Sequence, residues 1–366
     1  MRLLFITSYC DPEHKHAGHV PDWVAAIAHH CQTVDVIALQ TGGSLPPNVR
    51  YHSLGKDAGV SRLGRWLRFG ALLAKLVPQS DAIFCMFSAA FVLASWPLAR
   101  VFSKPIALWY AHGHVPFDLR LAELLANRIV TSSPHGFQLR SSKVRVVGQG
   151  IDTSVFVPAV ERSSNVWTIS SLGRLTRVKR YEDLVLAAKL LRDKGITSFK
   201  VQIVGQPVGS KDEQYKESLE ALIRQHNLQQ WVELVGAVPF AEIPTTYQLS
   251  DVVVNLGETG SMDKVVLEAM ACGVPVLSAN NSYYNLLSRI HKNLILERRK
   301  PDQIAERLAW LYSLSEAELE ELGMSLRNVV VQEHSLANLV SRIYLELDAM
   351  SNDPSLNAKE ASQSQG

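Results

Sequence analysis

Residues 166–204 read VWTISSLGRLTRVKRYEDLVLAAKLLRDKGITSFKVQIV, and their pattern decides the fold. The apolar run at 166–172 has strand length and stops at Gly173. A basic loop follows, and residues 181–194 carry apolar side chains at helical spacing. A second apolar run at 200–204 completes strand, helix, strand. A chain that leaves one strand, crosses through a helix and returns as a strand builds a parallel sheet covered by helices.

The alternation continues in both directions. Downstream, strands are expected at 232–234, 251–256 and 274–277, with helices at 213–226, 243–249 and 264–272. Upstream, strands are expected at 3–7, 34–39, 82–87, 106–110, 128–131 and 144–147, with helices at 20–30 and 62–76. The expected fold class is α/β, with two Rossmann-like doubly wound domains facing across a cleft. Residues 1–160 form the first and 161–332 the second, with the polar stretch 161–165 as linker. A last helix follows at 336–350, within a terminal segment 333–350. Residues 351–366 lack large hydrophobes and read as a frayed tail.

Composition narrows the function classes. The 366 residues are 47% hydrophobic and 20% charged, enough apolar surface for packed cores and too much for disorder. Lys+Arg 37 against Asp+Glu 35 leaves a net charge of +2, so no nucleic-acid partner is expected. Cys10, Cys31, Cys85 and Cys272 stand too far apart for a CxxC pair, which fits a reducing cytoplasm. The opening MRLLFITSY reads as a buried strand, with no export signal after it. Residues 82–99 are uncharged and reach the lower length limit of a spanning helix. Pro97, Ser88 and Ser95 interrupt that run, which reads instead as a buried strand entering a buried helix. GxGxxG and GxxxxGK[ST] are both missing, which disfavours dinucleotide enzymes and P-loop ATPases.

Two stretches carry chemistry. In SLGRLTRVKRYED (171–183), Arg174, Arg177, Lys179 and Arg180 precede a helix start near Tyr181. Basic side chains beside free N–H groups make an anion site. In GETGSMDKVVLEAMACGVPVLSA (257–279), a Gly/Ser loop runs into a short helix stopped by Gly273. Gly257, Gly260 and Ser261 let backbone approach a ligand. Glu268 inside that helix can accept two hydroxyls of a ribose. Asp263 reads as the helix N-cap.

GRLTRVK and LEAMACGVPV closely resemble the group 1 retaining glycosyltransferases of the GT-B superfamily. VVGQGIDTSVFVP (146–158) resembles the family's inter-domain turn, and VELVGAVPFAEIPTTYQLSDVVV (232–254) its nucleotide-base segment. EHSLANLVSRIY (333–344) is similar to its C-terminal helix, which crosses back to the first domain. The resemblance implies a nucleoside diphosphate sugar donor, with Arg174 and Lys179 on the diphosphate and Glu268 on the ribose. It implies Val235 and Gly236 near the base, Gly18 approaching the donor phosphate, and Gly260 and Ser261 in the donor loop. It further implies His112, with His114 as rival, hydrogen-bonded to the transferred sugar. The acceptor would be a glycan or lipid-linked hydroxyl, in cell-envelope polysaccharide synthesis, with no cofactor and no metal.

One position departs from the family. The first glutamate of its E-x7-E motif falls on Gly260, and neither Glu258 nor Asp263 has the register to replace it. That departure raises an alternative, a degenerate sugar-nucleotide binder without turnover. Two further features stand outside the motifs. His14, His16 and His19 cluster near Cys10 and Asp11, but without the i, i+4 pair of a helical zinc site; an acceptor-contacting loop is the expectation. Arg65, Arg68 and Lys75 share one face of the helix at 62–76, with Leu63, Trp66, Phe69 and Leu73 toward the other. Such a helix can rest on anionic lipid, giving a cytoplasmic protein peripheral at the inner membrane face.

Overall fold

The computed structural model describes residues 1–14, 18–44, 46–160, 166–257, 262–297 and 300–353. The expected linker 161–165, Glu258, Gly260, Ser261, His16 and the tail beyond 353 lie outside them. The chain divides into two units, one of Met1–Gln149 with Leu336–Gly366, the other Gly150–Ser335.

The first unit opens with β1 (Arg2–Cys10), α1 (Val20–Ala28), β2 (Thr33–Thr41), β3 (Val49–Ser53) and α2 (Arg62–Leu76). It continues through β4 (Ala82–Met86), α3 (Ala89–Val101), β5 (Ile106–Trp109), α4 (Phe117–Leu125), β6 (Arg128–Thr131) and β7 (Val144–Val146). The seven strands lie in the order β3-β2-β1-β4-β5-β6-β7, and every pairing is parallel. Successive side chains of a strand alternate faces. In β1, Leu3 and Phe5 pack with Trp23 and Ile27 of α1, while Leu4 and Ile6 pack with Phe69 and Leu73 of α2. Both faces are covered, which is why these strands read as unbroken apolar runs. The uncharged segment at 82–99 is β4 followed by α3, as its interruptions imply. Among the described residues no helix is long and apolar enough to cross a membrane.

The second unit contains β8 (Trp167–Leu172), α5 (Tyr181–Asp193), β9 (Phe199–Val204), α6 (Ser210–Gln225), β10 (Val232–Gly236) and α7 (Ile243–Gln248). Then come β11 (Val252–Asn255), α8 (Lys264–Ala271), β12 (Val276–Ser278), α9 (Tyr284–Ser288), α10 (Pro301–Tyr312) and α11 (Glu316–Glu333). Its sheet order is β10-β9-β8-β11-β12, again all parallel. The order reverses between β8 and β11, and ligands of open α/β sheets bind outside the carboxyl ends of strands at such a point. Gly273 ends α8 with φ +68°, the left-handed stop expected of it.

The last helix, α12 (Leu336–Ser351), packs Leu339, Val340, Ile343 and Leu347 into the first unit's core beside α1. The units part at Gln149/Gly150, earlier than the polar stretch at 161–165. Residues after Gly150 are already held by the second unit. The Ile151 N–H donates to the His334 carbonyl at 2.8 Å, and Phe156 lies against Tyr247.

Candidate functional site

At the carboxyl ends of four neighbouring strands of the second unit stands an apolar residue followed by glycine: Leu172-Gly173, Val204-Gly205, Val235-Gly236 and, just after β11, Leu256-Gly257. Side chains at these glycines would close the carboxyl edge of the sheet. At Gly205, with φ +150°, a Cβ would stand 1.9 Å from the Gly173 carbonyl oxygen, so only glycine fits. At Gly236, with φ +89°, nothing lies within 4 Å of that position, so the backbone there borders open space. The sequence reading singles out Gly236 and Gly257 but passes over Gly205. The repeated apolar-Gly ending was the signal available.

Lys179 runs through the gap between two of these glycines. A Cβ at Gly173 would sit 3.2 Å from its Cε, and one at Gly257 3.2 Å from its Cδ. The ammonium therefore lies beside the ends of β8 and β11, at the switch point. Its Nζ donates to Asp263 Oδ2 at 2.8 Å, and both side chains are mostly buried. Asn255 Nδ2 donates to the same oxygen at 3.1 Å, and the Tyr283 hydroxyl donates to the Asp263 carbonyl at 2.5 Å. Asp263 stands at the N-cap position of α8, but its side chain makes no capping hydrogen bond. The N-cap position is as expected, but the carboxylate pairs with Lys179 rather than capping the helix. The pair spans 84 positions of sequence, which no local spacing reveals.

The four basic residues of the loop do not act alike. Arg174 is half-exposed and stands 3.6 Å from Asp212 Oδ2. Arg177 lies over the Tyr215 ring, and Arg180 Nε donates to Asp183 Oδ2 at 2.6 Å. The start of α5 is also not the open anion site expected of it. The Tyr181 N–H donates to the Tyr215 hydroxyl at 2.8 Å, and Glu182 and Asp183 occupy the first turn. Their charge already satisfies the positive helix end. Lys179 is the cation that these contacts place at the edge, and Arg174 follows directly on Gly173.

Glu268 is buried at 8% exposure, not a surface residue of its helix. The Tyr247 hydroxyl donates to its Oε2 at 2.8 Å. Burial raises the Glu268 pKa above its ordinary value, against the lowering effect of that hydrogen bond and of Lys264. Burial and the Glu268 charge together keep Tyr247 protonated and thus a donor. Oε1 has no hydrogen-bond partner among the described residues. Half of the carboxylate is anchored and half is free to accept.

In the first unit, His112 follows the end of β5 and is exposed. Its backbone N–H donates to the Gly136 carbonyl at 2.8 Å, and the His114 N–H donates to its Nδ1 at 3.0 Å. Nδ1 is thus an acceptor, so the neutral ring carries its proton on Nε2. Gly18 is buried in the loop after β1, where a Cβ would stand 2.7 Å from the Pro12 carbonyl oxygen. His14 stacks on Tyr9 at 3.8 Å between ring centres, while His19 sits edge-on to Trp23 and Phe87. Among the described residues no set of three or more His, Cys, Asp or Glu could hold a metal ion.

Comparison with known proteins shows what the chain is similar to. Residues 156–323 match the model described as glycosyl transferases group 1. The D-inositol 3-phosphate glycosyltransferase of Kineococcus radiotolerans is 32% identical over 150 residues, 38% of this chain and 34% of that protein. The putative colanic acid biosynthesis glycosyltransferase WcaL of Escherichia coli is 29% identical over 196 residues, 51% of this chain and 47% of that one. These alignments thus span between a third and a half of the curated relatives. Anabaena Alr3699/HepE, solved with UDP and glucose, superimposes with a TM-score of 0.71 at 16% identity, covering 95% of this chain and 100% of that one. The fold is GT-B, and residues 156–323 are similar to the group 1 glycosyl transferases.

Proposed function

We propose that the protein transfers a sugar from a nucleoside diphosphate sugar to a hydroxyl of a glycan or lipid-linked acceptor, with retention and without a metal. The observation that carries this reading is Lys179. Its ammonium has three donors, one of which meets Asp263, and it lies between Gly173 and Gly257 at the switch point. A diphosphate at that edge would take the remaining donors, with Arg174 as a second cation. Glu268 Oε1 would accept from the ribose, the base would lie along Gly236, and Gly260 and Ser261 would complete the donor loop. In the first unit Gly18 would leave room for a phosphate, and the Nε2–H of His112 would donate to a sugar hydroxyl.

In the transfer, the acceptor oxygen bonds to the anomeric carbon while the bond from that carbon to the diphosphate oxygen breaks. The electron pair leaves with the diphosphate, where Lys179 and Arg174 stabilise the developing charge. The acceptor proton passes to the leaving phosphate oxygen on the same face, which retains configuration. The relatives' printed names, and the UDP and glucose bound to the Anabaena protein, support the donor class. The colanic acid relative supports a polysaccharide setting.

The test is release of free nucleotide from UDP- and GDP-sugars supplied with glycan and lipid-linked acceptors. Turnover with the product's anomeric configuration unchanged, and undiminished by EDTA, is expected. Activity abolished by EDTA and restored by magnesium would overturn the metal-free mechanism. Tight nucleotide binding with no release from any donor would favour the degenerate binder that Gly260 raises.

A further inference from the structure

The first unit contains a cavity of about 270 Å³ that none of the donor residues touches. It opens among the carboxyl ends of the first strands. Ser8 lies near the end of β1, Leu39 near the end of β2, Leu54 just after β3, and Ser88 just after β4. The sheet order reverses between β1 and β4, so this is also switch-point territory. Phe69 and Phe91 form one wall, edge to face at 5.9 Å, and Trp66 adds a third ring at 5.9 Å from Phe69. Trp66 is 48% exposed, so its ring spans wall and solvent.

Arg62 and Arg65, on the first turn of α2, line the same cavity. Arg65 Nη1 donates to the Val60 carbonyl, which leaves its charge uncompensated. Among the described residues neither arginine forms an ion pair, and no carboxylate lines the cavity. Two unpaired guanidinium groups beside an apolar, aromatic hollow fit a ligand with an anionic head and an apolar body. A sugar ring would find too few polar partners on such walls. The volume is below the roughly 300–1,000 Å³ of sites that hold whole small molecules. The hollow therefore takes a short segment, with the phosphate outside it on the arginines.

We infer that this cavity binds a phosphorylated amphiphile by its first apolar segment, and that this ligand is the carrier end of the acceptor. The second clause rests on the reading of the chain as a sugar transferase. The experiment is calorimetry with geranyl phosphate as probe, with geraniol and inorganic phosphate as controls and UDP as an independent ligand. Wild type should bind geranyl phosphate at least tenfold more tightly than either control. Ala90→Phe, which fills the hollow from the first turn of α3, should abolish that binding and leave UDP affinity unchanged. Arg62→Gln with Arg65→Gln should weaken it about tenfold or more, the scale of a hydrogen bond to a charged group; both are surface changes that keep the test open if Ala90→Phe does not fold. Equal binding by wild type and all variants, or no preference over the controls, would overturn the site. Pocket-dependent binding in a protein that binds no UDP would uphold the site and overturn its role as acceptor carrier.

Discussion

Lys179 serves two masters, and the two can be separated. As half of a mostly buried pair it compensates Asp263; in the proposed function its remaining donors serve the diphosphate. Lys179→Ala should weaken UDP binding about 10- to 150-fold, the range of about 1.5–3 kcal/mol for a charged hydrogen bond. It should also cost about 1–3 kcal/mol of stability, between the values for exposed and buried pairs, because Asp263 is left uncompensated. Adding Asp263→Asn should restore the melting temperature and leave UDP binding weak. If the double variant regains affinity as well, Lys179 acts only through the fold. Glu268 yields a pH signature. Its pKa is raised by burial, so the carboxylate takes up its proton earlier on acidification than an ordinary glutamate. UDP affinity should therefore begin to fall above pH 4.5, and Glu268→Gln should bind weakly with a flatter profile in calorimetry. At this scale the sequence singles out residues whose partners it does not show. Lys179, Glu268 and Gly236 are legible because each sits in a local motif. Tyr247 and Asp263 as partners are not, because the contacts join separate elements, α7 to α8 for Tyr247 and Glu268, and positions 84 apart for Lys179 and Asp263.

Helix α2 carries the lesson at the scale of elements. The periodicity of 62–76 is real, and Phe69, Leu73 and Leu76 are buried. Leu63 and Leu67 nevertheless stand 70% and 67% exposed, so Leu63 parts from the face on which the sequence reading groups it with Phe69 and Leu73, and the helix has a second, exposed apolar stripe. Its expected basic trio is also divided. Arg65 turns to Val60 and the cavity, while Arg68 and Lys75 stay exposed on the outer face. An exposed apolar stripe flanked by lysine and arginine is the pattern of a helix resting on an anionic bilayer. Each basic residue near such a surface contributes about 1 kcal/mol, or roughly fivefold in binding. Arg68→Glu with Lys75→Glu should reduce sedimentation with anionic vesicles more than tenfold, and raised salt should reproduce part of the loss. Equal sedimentation of wild type and variant would remove the membrane role. Other elements escape the sequence for related reasons. β3 is an edge strand with Arg50 and His52 among its five residues, so it lacks an apolar run. α4 leaves Phe117 and Leu124 exposed, which blurs the face that Leu119 and Ala122 bury.

At the scale of the whole molecule the two units differ in how the chain completes them. The second is continuous: Gly150–Ser335 contains its entire sheet, one hydrophobic core, and Lys179, Gly236, Asp263 and Glu268. The first is closed only by the far end of the sequence, because α12 supplies Leu336, Leu339, Val340, Ile343, Leu347 and Met350 to the core beneath α1. Burying a large apolar side chain contributes about 1.5–3 kcal/mol. Six of them together match the whole stability of a typical domain, about 5–15 kcal/mol. Residues 150–335 produced alone should therefore unfold cooperatively and bind UDP within about threefold of the full chain, since no donor residue of that unit is lost. Residues 1–149 alone should show no cooperative transition, and adding a peptide of residues 336–353 should restore one. Circular dichroism melting of each fragment, with calorimetry on the second, reads both outcomes. A 1–149 fragment that melts cooperatively unaided would show that α12 is dispensable to its core. A 150–335 fragment that folds but has lost UDP would place essential donor contacts outside the second unit.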